Sequence, residues 1–449
     1  MSKKKRAPSS LRSLRKQCTE ISSDALEQVF LVTSPHITST LATAILCRAI
    51  AKLGGTFHVS FERPIIGLET LNEHRARHEA SSVIVIGIDT VGKKKLRKGK
   101  NYPIFVGGSS ESEQVESLTL GTSDTIPAVA FLLAEQYIPS HDYELQIAAG
   151  ATLFHTESIQ LSPKPNKELV EQAKGLKLIE ERKGIRLFGF GFLPLDELFL
   201  YSTRPFIKGI SGNQKACDIL LNEAEVPITK LRAPMSTLSN TEIQHFTQHL
   251  TSKLLEKIGP DIIPHILGTD FILTKEAETS PLRYLSGLEA LAETAWARQE
   301  PGAALSVWIG DRGRALRDMI DTYLSHQKDV IAATLRLEST LKGVSTETST
   351  SIEIPAIPDK LLTDVGRVAL QSGIVSRNRP LLISSDDSTV ITWMTDEIDM
   401  KQALFGLEEM NLNPIPTSTK SIMFRTVPPE SREDLFQSLK AKFMNEGSS

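Results

Sequence analysis

The chain has 449 residues and a formal net charge of −3, with 40% hydrophobic and 23% charged residues. This length suffices for two to four domains with a sizeable core, and the small net charge argues against a binder of bulk polyanions. The apolar runs are far shorter than the roughly 20 residues of a membrane helix. Three scattered cysteines form neither a disulfide framework nor a zinc motif, which predicts a reduced, intracellular compartment. The basic N-terminus lacks the apolar segment of a secretory signal, so none is predicted.

The N-terminal segment, residues 1–23, is basic. Its first 17 residues include lysines and arginines but no acidic residue, with serine and proline interspersed. This composition predicts a disordered tail. Such a tail serves solubility or contacts nucleic acid through phosphates, and the sequence leaves both interpretations open.

Apolar strand patterns alternate with helical patterns from residue 24 to about residue 156. Strands are predicted at 29–33, 56–61, 82–88 and 103–106, and helices at 41–52, 68–78, 122–136 and 143–152. Continuous apolar strands separated by helices are typical of a doubly wound parallel sheet. The fold class predicted for this part is therefore α/β with a parallel sheet.

In such a sheet, ligands bind beyond the carboxyl ends of the strands, so the residues there decide the chemistry. His36 follows the first strand, Asp89 the third, and Gly107, Gly108 and Ser109 the fourth. These are too few carboxylates and histidines for a two-metal centre. The glycines predict either a backbone nest for an anion or an empty site. His36 is expected to be a capping or packing residue and Asp89 a local cap.

A second basic run lies between two predicted strands. Its members are Lys93, Lys94, Lys95, Arg97, Lys98 and Lys100. A loop at the edge of a sheet with this charge is either a solvated surface or a contact for nucleic acid. These six residues are the candidate nucleic-acid contacts.

The segment 184–212 combines glycines, aromatic residues and a Pro205-Phe-Ile-Lys-Gly-Ile-Ser-Gly212 motif. In its residue types and their order it resembles the archaeal RecJ-like branch of the DHH phosphoesterases, and the resemblance extends over about residues 26–445. It implies a parallel-sheet DHH-like α/β domain at 24–312, a connecting helix at 313–341, a Ser/Thr-rich linker at 342–353 and a smaller α/β DHH-associated domain at 354–445.

Active members of this family hold two divalent ions with aspartates and histidines from four loops. The resemblance aligns those ligand positions with residues of this chain that cannot ligate two ions: His36, Thr38 and Ser39; Gly87; Gly107, Gly108 and Ser109; and Thr152, Leu153 and Phe154. The family's asparagine ahead of the connecting helix corresponds to Glu293. The resemblance therefore implies no catalytic residues, no metal ligands and no cofactor.

The predicted second domain lacks the family's glycine-rich phosphate grip as well. Helices are predicted at 361–371, 400–409 and 432–443, and a hairpin at 380–394. Where the grip would stand, the chain has the segment 411–423, in which Pro414 and Pro416 remove backbone donors. Weak phosphate binding by residues 417–420 is the alternative to an ordinary loop.

Inactive members of the family hold the GINS complex onto the MCM ring. The resemblance thus implies a non-catalytic replication factor, a RecJ-like scaffold that bridges GINS and MCM in an archaeal-type replicative helicase, cytoplasmic and nucleoid-associated, with no membrane partner. Contact with single-stranded DNA is left open. The alternatives are a 5′→3′ single-strand exonuclease or phosphodiesterase that uses His36, Asp89, Asp124 or His155, and a stand-alone single-strand binder.

Overall fold

The computed structural model describes residues 10–19, 21, 26–78, 82–91, 103–108, 118–154, 162–224, 226, 230–341, 351–353, 357–378, 380–395 and 398–425. The chain forms two compact units, each assembled from separate stretches of sequence. The first unit contains residues 1–181, 271–277 and 300–319, and the second contains residues 182–270, 278–299 and 320–449. None of the helices in the described ranges is long and apolar enough to cross a membrane.

The first unit is built on a five-stranded sheet in the order β2-β1-β4-β6-β7, with every neighbouring pair parallel. Its strands are apolar runs, and all five residues of β4 are buried, as expected for a sheet that is covered on both faces. The predicted parallel sheet is confirmed. The strands are β1 (Gln28–Thr33), β2 (Thr56–Phe61), β4 (Ser82–Ile86), β6 (Ile104–Val106) and β7 (Leu118–Leu120), and a small parallel pair is formed by β3 (Ile65–Gly67) and β5 (Asp89–Val91).

Helices cover this sheet. Twelve of the sixteen residues of α2 are buried, so this helix is apolar on nearly all sides, as a central helix must be. It packs against α4, α5 and α12. The helices that lie wholly in the first unit are α1 (Leu11–Cys18), α2 (Ile37–Lys52), α3 (Leu68–Arg77), α4 (Ile126–Glu135), α5 (Asp142–Ala151), α6 (Lys164–Gly175) and α12 (Pro301–Ile309).

The helix α1 corrects the prediction of a disordered tail for part of residues 1–23. Leu14 and Cys18 of this helix are fully buried, and α1 packs against α4 and α6. Arg15 also forms an ion pair with Glu135 at 2.9 Å. Leu11, Leu14 and Cys18 recur at the helical period, a pattern that the high basic charge of the segment obscured.

The second unit contains another five-stranded sheet, in the order β10-β11-β12-β14-β13. The pair β10 and β11 is parallel and the other pairs are antiparallel. The predicted hairpin around Asp386 and Asp387 is confirmed as β11 and β12. The strands are β10 (Ser351–Glu353), β11 (Leu381–Ser384), β12 (Ser388–Thr392), β13 (Ile415–Ser418) and β14 (Ser421–Arg425).

The strand β10 falls in the predicted linker 342–353. Ile352 at its centre is buried in the core that α14 (Asp359–Gln371) and β11 build, so these last three residues belong to the sheet and not to a linker. The residues 342–350 lie outside the described residues. The predicted helix at 432–443 also lies outside them.

Helices of the second unit pack on this sheet and on one another. The core below the sheet joins Val330, Ala333 and Leu337 of α13 to Leu362 and Val365 of α14. The remaining elements of the chain are β8 (Ile179–Ile185), α7 (Leu195–Leu200), α8 (Gln214–Glu223), α9 (Asn240–Lys257), α10 (Ile263–Ile266), β9 (Leu267–Leu273), α11 (Leu285–Ala297), α13 (Arg314–Thr340), α14 (Asp359–Gln371) and α15 (Met400–Glu409). The long helix α13 lies where the connecting helix was predicted. The predicted fold class, α/β with a second and smaller sheet domain, is confirmed.

Candidate functional site

The carboxyl ends of three neighbouring strands define the place where this fold would hold a ligand. In the sheet, β4 lies between β1 and β6, with Thr33 level with Ile86 and Ile86 level with Val106. The segments that follow these strands therefore end at one edge of the sheet, as predicted. This strand-end edge is built from residues 34–39, 87–88 and 107–108.

The first segment is used for capping and packing. His36 is the N-cap of α2: its Nδ1 accepts a hydrogen bond from the Thr38 amide at 3.3 Å, and Nδ1 and Thr38 Oγ1 are 2.8 Å apart. Ser34 and Ser39 are buried, and the Ser34 hydroxyl donates to Ser39 Oγ at 2.9 Å. The capping role predicted for His36 is confirmed, because its side chain satisfies a donor in the first turn of the helix.

Gly87 occupies the second ligand position and leaves no space for a side chain. A Cβ added there would lie 3.0 Å from Ser34 Oγ and closer still to Ser39 Oγ, and the glycine has a φ of +64°. Its amide donates to the carbonyl of Val106 at 2.9 Å. The neighbouring strand thus takes up the backbone donor that an anion would need.

The glycines after β6 are enclosed in the same way. At Gly107, which has a φ of +71°, a Cβ would lie 2.7 Å from Ile126 Cδ1, and the amide donates to Leu120 O at 3.0 Å. At Gly108 a Cβ would lie 2.8 Å from the carbonyl carbon of Ile88 and closer to its oxygen. Ser109 lies outside the described residues. Of the two interpretations left open for these glycines, a closed site fits better than a nest for an anion, because the Gly107 amide is already bonded.

The fourth candidate loop follows α5. Thr152 is the C-cap of that helix, and its hydroxyl donates to the carbonyl of Ala149 at 2.8 Å. Leu153 and Phe154 are 8% and 6% exposed, so both are core residues. These positions therefore contribute packing and a helix cap.

Asp89, predicted to be a cap in a turn, instead begins the strand β5 and pairs with Ile65. Its amide donates to the carbonyl of Pro64 at 2.8 Å. Asp89 therefore does not lie in the predicted turn, because Gly87 and Ile88 lead directly into a second small sheet.

The residues present at the strand-end edge do not fit a two-metal centre. Within the described ranges, no three histidine, cysteine, aspartate or glutamate side chains gather closely enough to hold an ion. A divalent pair needs several carboxylates and imidazoles in fixed positions. His155 and the basic residues Lys93, Lys94, Lys95, Arg97, Lys98 and Lys100 lie outside the described residues.

The signature segment 184–212 lies within the second unit and folds onto itself. The Ser202 hydroxyl donates to Pro205 O at 2.7 Å, and the Ser211 hydroxyl donates to Ser202 O at 2.7 Å. Ser211 Oγ also accepts from the Ile207 amide at 2.9 Å. Ser202 and Ser211 therefore hold the segment in a compact loop, and this role explains their spacing without a ligand.

A buried ionic cluster fixes this loop to three helices of the same unit. Asp364 on α14, which is 2% exposed, accepts from Arg204 Nη2 at 3.0 Å and from Arg367 Nη2 at 2.9 Å. His326 on α13 contacts the other carboxylate oxygen at 2.8 Å. Glu293 on α11 pairs with Arg204. We call these five residues the Asp364 cluster. Sequence reasoning noted Glu293 only as a departure from the family and missed the cluster, because its members are distant in sequence.

Charge balance keeps Asp364 ionised. Burial by itself would raise the pKa of this carboxyl group, but Arg367, Arg204 and the hydrogen bond from His326 outweigh burial and hold the pKa well below its ordinary value. Loss of one partner from such a buried ionic group leaves an uncompensated charge and costs about 3–5 kcal/mol. The cluster is thus a structural element that joins the signature loop to α11, α13 and α14.

The segment 411–423, where the family has its phosphate grip, is largely strand and not an open loop. Thr417 on β13 is fully buried and accepts a hydrogen bond from Thr363 at 2.7 Å. The Pro416 carbonyl accepts from Trp296 Nε1 at 3.0 Å. The Lys420 ammonium donates to Met394 O at 2.9 Å. The Thr417 hydroxyl is thus bonded within the core, which disfavours the alternative of a weak phosphate site at residues 417–420.

The chain combines a parallel sheet with enclosing helices, a long helix and a second, mainly antiparallel sheet domain. Solved structures with this fold include the crystal structure of CDC45 from Entamoeba histolytica, at a TM-score of 0.63 and 11% identity, over 97% of this chain and 98% of that one. The match therefore extends over both proteins, and the predicted resemblance is confirmed at the level of the fold.

Two RecJ structures match more loosely. RecJ from Thermus thermophilus in complex with Mn²⁺ has a TM-score of 0.46 and 13% identity, over 96% of this chain and 54% of that one. A structure of exonuclease RecJ bound to manganese has a TM-score of 0.42 and 13% identity, over 96% and 93% of the two chains. No protein-family model matches the sequence, and no curated protein matches it significantly.

Proposed function

We propose that this protein is a non-catalytic replication factor, a RecJ-like scaffold that bridges the GINS complex and the MCM ring of a replicative helicase. The observation that carries the proposal is the closed strand-end edge. Gly87, Gly107 and Gly108 stand at the positions where active members hold ligands, and none of the three has space for a Cβ. The full-length similarity in fold to CDC45 supports the same conclusion.

Lack of space at the strand-end edge disfavours a metal site more strongly than the absence of ligand residues does. A side chain missing from an open cleft can be replaced by a residue from a nearby loop. Here the space beside Gly87 is filled by the hydrogen-bonded Ser34 and Ser39, and the space beside Gly108 by backbone. Rearranged ligands would require a different path for the chain at the end of each strand, so hydrolysis is the less favoured function.

A scaffold must keep its surfaces in fixed positions, and the second unit has the interactions for this. The Asp364 cluster ties the signature loop to three helices. Trp296 of α11 donates to the edge strand β13. Ionic and hydrogen-bonded contacts between distant segments favour one arrangement of the helices. In this proposal, GINS and MCM bind such preformed surfaces, and no acid–base chemistry takes part.

The first experiment measures hydrolysis directly. Wild-type protein and His36→Ala are incubated with 5′-labelled single-stranded DNA and Mn²⁺, and nucleotide release is followed. We expect no release above the buffer control for either protein. Release by the wild type that His36→Ala abolishes would overturn the non-catalytic assignment and favour the exonuclease.

The second experiment tests the partners. The tagged chain is recovered from its source cell after nuclease treatment, which removes bridging DNA, and co-purifying proteins are identified. We expect both GINS and MCM subunits. Their absence from repeated preparations would refute the bridging role while leaving the result of the hydrolysis assay unaffected.

The third experiment addresses DNA binding. If the protein is a single-strand binder, replacement of the basic residues between Lys93 and Lys100 should weaken binding and flatten its dependence on salt, because fewer counterions are released. Under the scaffold proposal, the same replacement leaves the recovery of GINS and MCM unchanged.

A further inference from the structure

Three histidines surround one buried aromatic ring of the first unit. The ring of Phe30 on β1 lies with its centroid 4.0 Å from that of His78 and 5.4 Å from those of His58 and His74. Phe30 is 1% exposed and belongs to the apolar core between the sheet and α3. We call the three histidines with Phe30 the histidine cluster.

Two of the histidines come from different elements and face each other. His58 lies on β2, an edge strand of the sheet as described, and His78 is the C-cap residue of α3. Their rings stack at a centroid distance of 5.0 Å and an angle of 25°. In the neutral state this stack adds apolar contact between β2 and the end of α3.

The third histidine has a counter-ion. His74 Nε2 lies 2.8 Å from the carboxylate of Glu62, so a charge on this ring is compensated. Within the described residues, neither His58 nor His78 forms an ion pair with a carboxylate. The charged and titratable groups that these contacts place around the cluster include His58 and Glu62 from the β2 side and Glu73, His74, Arg77 and His78 from the α3 side, whereas β1 contributes the apolar Phe30.

We propose that the histidine cluster is an acid-sensitive contact that holds the C-terminal end of α3 on the sheet. Protonation of His58 and His78 places two like charges face to face, and the end of α3 then separates from β2. The separation uncovers the part of the apolar sheet face that contains Phe30.

Burial and neighbouring positive charges disfavour the protonated form of His78. The pKa of His78 lies below its ordinary value because of burial first, and then because of His58, His74 and Arg77. Attraction between a cationic imidazole and the Phe30 ring acts in the opposite direction. A histidine with a lowered pKa favours the packed state above its unfolded pKa, about 6.5, and this contribution is lost as the pH falls below that value.

Hydrogen exchange of the full-length protein tests the proposal. Exchange of α3 amides is measured at pH 7.5 and 5.5 and corrected for the intrinsic rate, with α4 as an internal reference. We expect protection of α3 to fall roughly fourfold at pH 5.5, the factor for two unit charges 5.0 Å apart at the dielectric constant of bulk water, because His58 is exposed. Protection of α4 should not change.

Variants separate this cause from general acid sensitivity. His58→Gln removes one charge from an exposed strand position and should reduce the pH response, and His58→Gln with His78→Gln should abolish it. The control, His245→Gln with His249→Gln, removes another close pair, with centroids 4.3 Å apart on α9, and should leave the response of α3 unchanged. Equal protection of α3 at both pH values in the wild type, or an undiminished response in His58→Gln, would overturn the proposal.

Discussion

Gly108→Ala tests whether the strand-end edge is closed by packing. The added Cβ would lie 2.8 Å from the Ile88 carbonyl carbon, although ordinary van der Waals contact begins at 3.4 Å. The neighbouring atoms are backbone, so no side-chain rotation relieves the overlap. Unlike Gly87 and Gly107, Gly108 does not have a positive φ, and the substitution therefore tests space alone.

The loss of stability expected for Gly108→Ala is large because the backbone of Ile88 cannot move aside. Overpacking a buried site costs typically 1–3 kcal/mol, and a clash with backbone should fall near about 3 kcal/mol. For a unit of roughly 200 residues, each kcal/mol lowers the Tm by about 2–4 °C, so we expect a decrease of roughly 6–12 °C. The matched control is Gly175→Ala at the end of α6, where a Cβ meets nothing within 4 Å. Its stability should equal or exceed that of the wild type.

The assay is thermal and urea denaturation of the three proteins, with the nuclease assay run alongside. If Gly108→Ala unfolds within about 0.5 kcal/mol of the wild type, the edge is open and the steric argument fails. We also expect Gly108→His to gain no Mn²⁺-dependent release of nucleotides. Gain of hydrolysis by this variant would show that a ligand can be accommodated after all.

Three further predictions concern stability and reactivity. Asp364→Asn should destabilise the protein by about 3–5 kcal/mol, since it leaves buried guanidinium groups uncompensated. In urea titrations at several pH values, the wild type should lose this contribution as the pH falls below about 4, and the variant should lack that dependence. Leu14→Ala should release α1 at a cost of about 2 kcal/mol and expose neighbouring basic residues to trypsin; digestion at the wild-type rate would contradict the packing of α1. Burial raises the pKa of the thiols of Cys18, Cys47 and Cys217 to about 12. A thiol reagent at pH 8 should therefore label the native protein only at its unfolding rate, and rapid labelling would contradict the burial of these cysteines.

Short-range patterns carried the prediction of the fold. The apolar runs of β1, β4 and β6, separated by helical periods, indicated a parallel sheet because those preferences are set by neighbouring residues. The same reasoning placed α13 and the β11–β12 hairpin. It failed for α1, where charge concealed a helical period, and for the segment 415–425, where turn-forming residues concealed two strands.

The sequence by itself determined which residues stand at the strand ends, and therefore that carboxylates and imidazoles are scarce there. Only the tertiary structure decided what that scarcity means. Ser34 and Ser39 fill the space beside Gly87, and the backbone of Ile88 fills the space beside Gly108; these neighbours come from other parts of the chain. The Asp364 cluster has the same origin, because its members meet only when α11, α13 and α14 pack together. Composition and periodicity are local properties, whereas steric exclusion and charge compensation depend on which distant residues the fold brings into contact.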